Sequence, residues 1–447
     1  MRSHYGYPTG PICQNRAFRK PQQKFLLTLL PTILLICGKV NFSNLSRYSE
    51  LSERTYRRQY HQSFAFMGLN AGLIAQAIPA SAVQIAVMDC SFIRKSGKGT
   101  AGLDWFYNGS ASRSETGLEI KVFAVVDVEA SRGYTLSVQQ TPANPVSPSQ
   151  RRRKSSPRIP NQKTPVDAAL IPKICAALSQ LPPKPQVPDE TTRIDHYLNH
   201  LKQTRPHLPQ ALKYLAGDGY YSKRKFVDGV CALDLHLISK LRSDANLRYL
   251  YSGPQKPRGR HRRYDGKVTF DDLTRFTWLR EIEPGRNLYT ALVYHVSLKR
   301  QIRIALLLDT RTPGKTGRVL LFCTDIDLDA EQILIHYQAR FQIEFIFPDA
   351  KQFTGLCDCQ SRNAQKLDFH FNAALSALNL AKYQAQLRHP SLEPGFKAEP
   401  FSMASHKRIA LNQHLLERFI AQLDLDPTVI ESHPNYENLR SYGIIAA

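Results

Sequence analysis

Long hydrophobic runs are almost absent from this 447-residue chain. The longest is the thirteen-residue stretch from Phe25 to Cys37, which has Pro31 near its middle and is too short to span a bilayer. Basic residues precede this stretch, but no small-residue cleavage site follows it, so the pattern does not favour a secretion signal. We therefore expect a buried helical hairpin here and no membrane partner.

The sequence also lacks the motifs of two common site types. Of its eight cysteines only Cys357 and Cys359 are close together, without partners at zinc-finger spacing, so we expect reduced thiols in a cytosolic protein. The segment from Gly97 to Thr100 suggests a nucleotide phosphate loop. However, Phe92 stands where that motif requires its first glycine, so nucleotide hydrolysis is not predicted.

Acidic residues are scarce relative to basic ones, with 37 Asp and Glu against 60 Lys and Arg, a net charge of +23. Such an excess favours a polyanionic partner bound in a salt-sensitive way. Near the N-terminus, Asn41 to Phe66 shows two short helical patterns, and the second carries Arg54, Arg57 and Arg58. The pattern is compatible with a helix-turn-helix whose second helix contacts DNA, although a basic solvent-exposed helix would look the same.

The next part of the chain is rich in strand patterns. They lie at Val83 to Met88, Leu118 to Val128, Tyr134 to Val138 and Ala211 to Ala216. The first three predict an antiparallel meander. Asp89 follows the first strand directly, and Asp218 follows the last between two glycines. A carboxylate at the end of a buried strand needs a partner, and a metal ion is an efficient one, but a turn or cap role would give the same pattern.

Two segments interrupt this α/β pattern. Residues 141–165 are rich in Pro, Ser and Arg and predict a surface loop whose Arg151 to Lys154 run could contact DNA. Residues 242–328 contain alternating strands joined by basic loops and predict an antiparallel β insertion. Within it, Trp278 could stack on an unpaired base, but we expect an ordinary core tryptophan.

Asp329 to Leu356 predicts one amphipathic helix, opened by a capping box of Asp329 and Gln332. At about 100° per residue, four of its polar residues fall within an arc of roughly 60°. These are Tyr337, Arg340, Glu344 and Lys351. The apolar residues expected to point inward are Ile333, Leu334, Phe341, Ile343, Phe345 and Ile346. For an isolated helix, a solvated face with salt bridges would explain the polar stripe equally well.

The positions of Asp89, Asp218 and Glu344 are more informative in combination than singly. In a ribonuclease-H-like sheet, an aspartate ending the first strand, one after the fourth strand and a carboxylate on a later helix converge on one point. Asp89, Asp218 and Glu344 occupy such positions. There they could hold two divalent cations about 4 Å apart for an in-line phosphoryl transfer.

At these residues the sequence resembles the bacterial insertion-sequence transposases of the DDE type, specifically the insertion-sequence-four group. The resemblance lies in Tyr337-x2-Arg340-x3-Glu344-x6-Lys351 and in MDCSFIRKSGKGTAGLDWFYNGS, AGDGYYSK, AKQFTGL and LSRYSELSERTYRRQY. It implies that Asp89, Asp218 and Glu344 bind Mg²⁺ or Mn²⁺. It also implies that Tyr337, Arg340 and Lys351 contact phosphates of the transposon end.

The resemblance further implies an α/β fold, with a ribonuclease-H-like mixed sheet and flanking helices, interrupted by the β insertion. The regions are a basic helical N-terminal DNA-binding region (1–80), the core in two parts (81–241 and 329–390), the insertion (242–328) and a helical C-terminal region (391–447). The implied activity is cut-and-paste transposition by two-metal-ion chemistry, with or without a hairpin. The implied partners are terminal inverted repeats, target DNA and a second copy in a synaptic dimer, at the nucleoid in the bacterial cytoplasm.

One position departs from the group. Pro348, four residues after Glu344, stands where a basic residue is common, and its ring predicts a kink that would take Lys351 off the stripe. An inactive transposase-derived DNA-binding protein or repressor is therefore an alternative. A ribonuclease-H-like nuclease without strand transfer is another.

Overall fold

A computed structural model gives the structure of residue 12 and of residues 17–143, 192–388 and 401–445. The Pro, Ser and Arg-rich segment predicted at 141–165 lies almost wholly outside these described residues, as does its Arg151 to Lys154 run.

Helices and strands occur largely in separate blocks along the described chain. The helices are α1 (Lys20–Leu35), α2 (Phe42–Arg47), α3 (Glu53–Gln59), α4 (Phe66–Ala77), α5 (Arg193–Thr204), α6 (Arg224–Cys231), α7 (Ala330–Ala339), α8 (Gln342–Phe353), α9 (Ala364–Arg388), α10 (Met403–Gln422), α11 (Pro427–Glu431) and α12 (Pro434–Arg440). The strands are β1 (Gln84–Arg94), β2 (Asp104–Asn108), β3 (Arg113–Asp127), β4 (Arg132–Gln140), β5 (Tyr214–Ala216), β6 (His236–Leu241), β7 (Leu247–Leu250), β8 (Tyr264–Lys267), β9 (Thr277–Glu283), β10 (Arg286–His295), β11 (Arg300–Asp309) and β12 (Gly317–Cys323).

One mixed sheet of twelve strands forms the centre of the fold. Its order is β2-β3-β1-β5-β6-β12-β11-β10-β7-β8, with β4 paired to β3 and β9 paired to β10. The pairs β1–β5 and β5–β6 are parallel, and α6 connects β5 to β6 as parallel neighbours require. The predicted mixed α/β architecture with flanking helices is therefore present.

The predicted meander is formed by β1, β3 and β4, with β2 as an additional strand on the far side of β3. One detail was wrong, because β1 continues to Arg94 and Asp89 lies within the strand rather than at its end. On its other side, β1 pairs with β5 only at Ala86 and Val87. That edge of β1 is therefore without its parallel neighbour from Asp89 onward.

The strands predicted between Thr277 and Cys323 all form, but they are not a separate layer. Because β12 pairs with β6, they extend the same sheet. The expectation that Trp278 is a core tryptophan was wrong. It lies on β9 with 57% of its surface exposed, and its Nε1 donates to Asn287 Oδ1 at 3.0 Å.

A helical layer covers one part of the sheet. The hairpin predicted at Phe25 to Cys37 was wrong, because α1 continues as a single helix through Pro31. Its buried face packs against α9 and α10, and this burial compensates for the backbone hydrogen bond that proline removes. Within the described ranges, no helix combines the length and the apolar character needed to cross a bilayer.

A β-bulge fixes α9 to the sheet. The register between β3 and β4 shifts at Leu136, which leaves backbone groups of β4 without strand partners. Asn379 of α9 accepts from Thr135 N at 2.9 Å and donates to Thr135 O. Asn70 of α4 donates to Leu136 O and accepts from Asn379. Two buried asparagines thus hold α4 and α9 on β4.

Candidate active site

The parallel pairing of β1 and β5 places two aspartates side by side. Val87 pairs with Ala216, and Asp89 and Asp218 each lie two residues further along their chains. Asp218 Oδ1 accepts from Tyr220 N at 3.0 Å and caps a short 3₁₀ turn, and Asp89 Oδ1 accepts from Cys90 N at 2.8 Å. Their backbones therefore direct both carboxylates to the same region of the sheet.

The predicted helix from Asp329 to Leu356 is two helices. It is interrupted at Arg340 and Phe341, where Ile343 N bonds to Arg340 O and Glu344 N bonds to Phe341 O. These bonds span three residues, as in a 3₁₀ turn, and change the helix direction in a way the sequence did not indicate.

Other parts of that helix prediction were also wrong. The Asp329 side chain makes no capping hydrogen bond. Phe341 and Phe345 are exposed to 44% and 61% rather than directed inward, because the break rotates α8 relative to α7. The remaining apolar residues of the predicted inner face, such as Ile343 and Ile346, are buried.

Arg340 is the centre of the site. Its Nη2 lies 2.8 Å from Glu344 Oε1 and its Nη1 lies 3.9 Å from Asp89 Oδ2. Its guanidinium also lies over the rings of Tyr337 and Phe341, at 5.3 and 4.7 Å from their centroids. Only 6% of the Arg340 side chain is exposed, so one buried cation neutralises carboxylates that come from two distant segments.

A cleft of about 710 Å³ opens beside this arginine. Asp89, Asp218, Glu344 and Lys351 all line it. Lys351 reaches the cleft because α8 continues through Pro348 to Phe353, so the proline does not end the helix. Tyr337, in contrast, is buried and is not among the lining residues.

The electrostatics of the cleft disfavour negative charge. The pKa of Asp89 is raised to about 6, mainly by burial and also by the nearby Asp218 and Glu344, against the opposing effects of the Cys90 N–H and Arg340. Burial also raises the pKa of Asp218 above its usual range. A cation bound here would relieve both effects.

The donor set suits a hard divalent cation, since carboxylate oxygens are the ligands that Mg²⁺ prefers. In the part of the chain that the structure describes, however, no three His, Cys, Asp or Glu side chains are close enough together to hold one metal ion. The three carboxylates share a cleft, but their oxygens do not converge as they stand.

Several lining residues were not found from the sequence. Glu119 of β3 is buried, with 7% exposed, and accepts from the hydroxyl of Tyr197 at 2.9 Å. Arg193 and Tyr220 also line the cleft. The signal for Glu119 was available, because Glu119 and Lys121 alternate with the apolar residues Leu118, Ile120 and Val122 in the sequence of β3.

The predicted DNA-binding arginines lie elsewhere. The two helical patterns of Asn41 to Phe66 form α2 and α3, and Ser52 caps α3 by accepting from Thr55 N. Arg54, Arg57 and Arg58 of α3 are exposed, but none lines the carboxylate cleft. Arg57 pairs with Glu53 at 3.5 Å.

Comparison with protein families supplies independent information. The model of the DDE superfamily endonucleases matches residues 19–281, which include Asp89 and Asp218. The model of the transposase DDE domain matches residues 185–380, which include Asp218 and Glu344. No curated protein is significantly similar to this sequence. Since the first match covers more than half of the chain, this protein belongs to the DDE superfamily of endonucleases.

Proposed function

We propose that this protein is a transposase of the insertion-sequence-four group, which cuts DNA at insertion-sequence ends and joins the ends to target DNA. The observation that carries the proposal is the single cleft lined by Asp89, Asp218 and Glu344 beside the buried Arg340. The transposase DDE match and the net charge of +23 support it. A ribonuclease-H-like core, a β insertion and a synaptic dimer are parts of the same proposal.

In this proposal Asp89, Asp218 and Glu344 are both catalytic residues and the ligands of two divalent cations, Mg²⁺ or Mn²⁺. Such cations, when bound, activate the attacking oxygen and stabilise the leaving oxygen of a phosphodiester. The side chain of Glu344 is 47% exposed and can change rotamer, so we expect it to move toward the two aspartates. That movement would release Arg340 from its ion pair.

The released Arg340 would bind the phosphate at the cleavage point, since its planar fork matches phosphate oxygens. Lys351 lies on the cleft wall, further along α8 than Glu344, and would contact a neighbouring phosphate. Tyr337 lies beneath the guanidinium, so we assign it a positioning role that acts through Arg340. Arg54, Arg57 and Arg58 would contact DNA away from the reacting phosphate.

The test uses the full chain, Mg²⁺ and DNA taken from the two sides of the gene, where the proposal expects terminal inverted repeats. We expect Asp89→Asn, Asp218→Asn and Glu344→Gln each to lower end cleavage by about 10³-fold or more while binding of the same DNA changes little. Glu129→Gln, at an exposed turn outside the cleft, is the matched control and should cleave normally.

Two further readouts separate the alternatives. Mg²⁺ should raise the thermal midpoint of the wild type but not of the Asp89→Asn/Glu344→Gln double variant. Cleaved ends incubated with a plasmid should become joined to it, whereas a nuclease would stop at cleavage. Cleavage that survives in both the Asp89 and Glu344 variants would overturn the proposed site, and a wild type that binds but never cuts would favour a DNA-binding protein or repressor.

A further inference from the structure

A second cleft, which we call the basic groove, lies at the far end of β1. It measures about 770 Å³ and is formed by the β1–β2 loop, the segment after α1 and the loop between α8 and α9. The cations that line it are Lys39, Arg94, Lys95, Lys98 and Arg362. Its lining includes one carboxylate, Asp358, whose Oδ2 already accepts from Val40 N at 2.8 Å. The groove therefore carries a large positive excess.

The basic groove is built by specific backbone contacts. Ala101 N donates to Arg362 O at 2.9 Å, which joins the β1–β2 loop to the α8–α9 loop. Gly97 has a φ of +98°, and a Cβ at this position would meet Arg362 Nε at 3.2 Å. Glycine thus allows the loop backbone to lie against the arginine side chain. Lys95 Nζ donates to Cys359 O, which fixes a second cation in the groove.

This geometry gives a role to the glycine-rich segment from Gly97 to Thr100. Its sequence fails as a nucleotide phosphate loop, yet the segment lies among cations contributed by three separate parts of the chain. Like charges that line one groove repel one another, and a bound polyanion would relieve this repulsion. A polymer of phosphates satisfies several separated cations at once, as a single nucleotide cannot.

The groove also has a fixed relation to the candidate active site. Arg94 and Asp89 belong to the same strand, five residues apart, which corresponds to about 16 Å at 3.3 Å per residue. We propose that the basic groove binds the phosphate backbone of the same duplex that is cut at Asp89, on the side of the cleavage point toward which β1 runs. This inference rests on the proposed function.

The experiment measures DNA binding without cleavage. Fluorescence anisotropy of the full chain with a 30-bp end duplex (a chosen probe of about three helical turns) in EDTA, over a series of salt concentrations, gives both affinity and salt slope. Arg94→Gln/Lys98→Gln removes two exposed cations and leaves Lys95 in place. If each contacts one phosphate, the slope should fall by about 1.8 and the affinity by about tenfold or more.

The matched control is Lys202→Gln/Lys213→Gln, which removes the same charge from exposed positions that line neither cleft. It should change the slope little. Equal slopes for the groove variant and the control would overturn the inference, while the cleavage tests at Asp89 and Glu344 would still decide the proposed function separately. A wild type that binds no DNA would overturn the proposed function itself.

A final comparison identifies the duplex. If the groove variant binds end DNA normally and loses only plasmid capture by the end-bound complex, the groove serves target DNA and the assignment to the cleaved duplex is wrong. Equal thermal midpoints of variant, control and wild type confirm that folding is unchanged.

Discussion

The guanidinium of Arg340 lies 2.8 Å from the Glu344 carboxylate, across the break between α7 and α8. The two residues are four apart, and Arg340 lies in the break itself whereas Glu344 lies in the first turn of α8. Within the described chain, Arg340 Nε has no hydrogen-bond partner although it is buried. The guanidinium therefore retains an unused donor beside the ion pair, and separation of the pair would make both the cation and the carboxylate available.

The first prediction concerns this pair. Arg340→Gln should bind Mg²⁺ more tightly than the wild type in the absence of DNA, by several-fold to about tenfold, because a competing cation has been removed from a carboxylate. End cleavage by the same variant should fall by about 10²-fold or more, because the side chain that would bind the reacting phosphate is missing. Calorimetric titration with Mg²⁺ and a cleavage assay measure the two effects.

Arg340→Lys is the matched control, since it keeps the charge but loses the planar fork. We expect its Mg²⁺ affinity to stay near that of the wild type and its cleavage to remain low. Weaker Mg²⁺ binding in Arg340→Gln would contradict competition between the arginine and the metal.

Pro348 gives the second prediction. Proline inside α8 cannot donate to the Glu344 carbonyl, so Pro348→Ala should stabilise the protein by about 1–2 kcal/mol. Cleavage should change little, because α8 already continues to Phe353 and brings Lys351 to the cleft. Urea unfolding measures the stability, with Gln352→Ala on the same helix as control. A destabilised Pro348→Ala variant would show that packing of the proline ring outweighs the missing hydrogen bond.

Asn379 gives the third prediction. Asn379→Leu would leave the buried N–H and C=O of Thr135 without partners, so we expect a loss of about 2–4 kcal/mol in the free energy of unfolding. Ser376 lies on the same helix, fully buried, and its hydroxyl has no hydrogen-bond partner among the described residues. Ser376→Ala should therefore be nearly neutral. Similar losses of unfolding free energy in both variants would argue against a stabilising role for the hydrogen bonds between Asn379 and Thr135.

The fourth prediction is a pH dependence at Lys382. Burial lowers the pKa of Lys382 to about 8, opposed by Asp349, and its Nζ donates to Gly133 O at 2.8 Å. The folded protein is penalised while this lysine is charged. Between pH 8 and the unfolded value of 10.5, the unfolded chain binds the proton and the folded chain does not, so stability rises with pH over that interval.

Lys382→Met should consequently be more stable than the wild type at pH 7, by at most roughly 3 kcal/mol, and the difference should disappear toward pH 10.5. Chemical unfolding at several pH values measures this, with the exposed Lys202→Met as control. A difference that does not depend on pH would assign the effect to packing alone.

Local patterns in the sequence predicted much of the fold. The strands between Thr277 and Cys323 and the position of Asp218 after β5 followed from apolar periodicity and turn residues, which depend on neighbouring positions. The break at Arg340 and Phe341 could not be predicted in this way. No glycine or proline marks it, and the burial of Arg340 against Asp89 depends on a segment far away in the sequence.

The same distinction explains the other errors. Pro31 does not divide α1, because α9 and α10 cover that helix on its buried side. Trp278 is exposed because β9 pairs with β10 at the margin of the sheet, where no element of the described residues covers its outward face.

The sequence by itself determined the candidate residues: three carboxylates at characteristic spacings, a signature around Glu344 and a large positive charge. Only the tertiary structure decided how they meet. The parallel pairing of β1 and β5 places Asp89 beside Asp218, and the break between α7 and α8 places Arg340 between Asp89 and Glu344. Local propensity acts over a few residues, whereas the approach of Asp89 to Asp218 and to Arg340 arises from packing between segments more than a hundred residues apart.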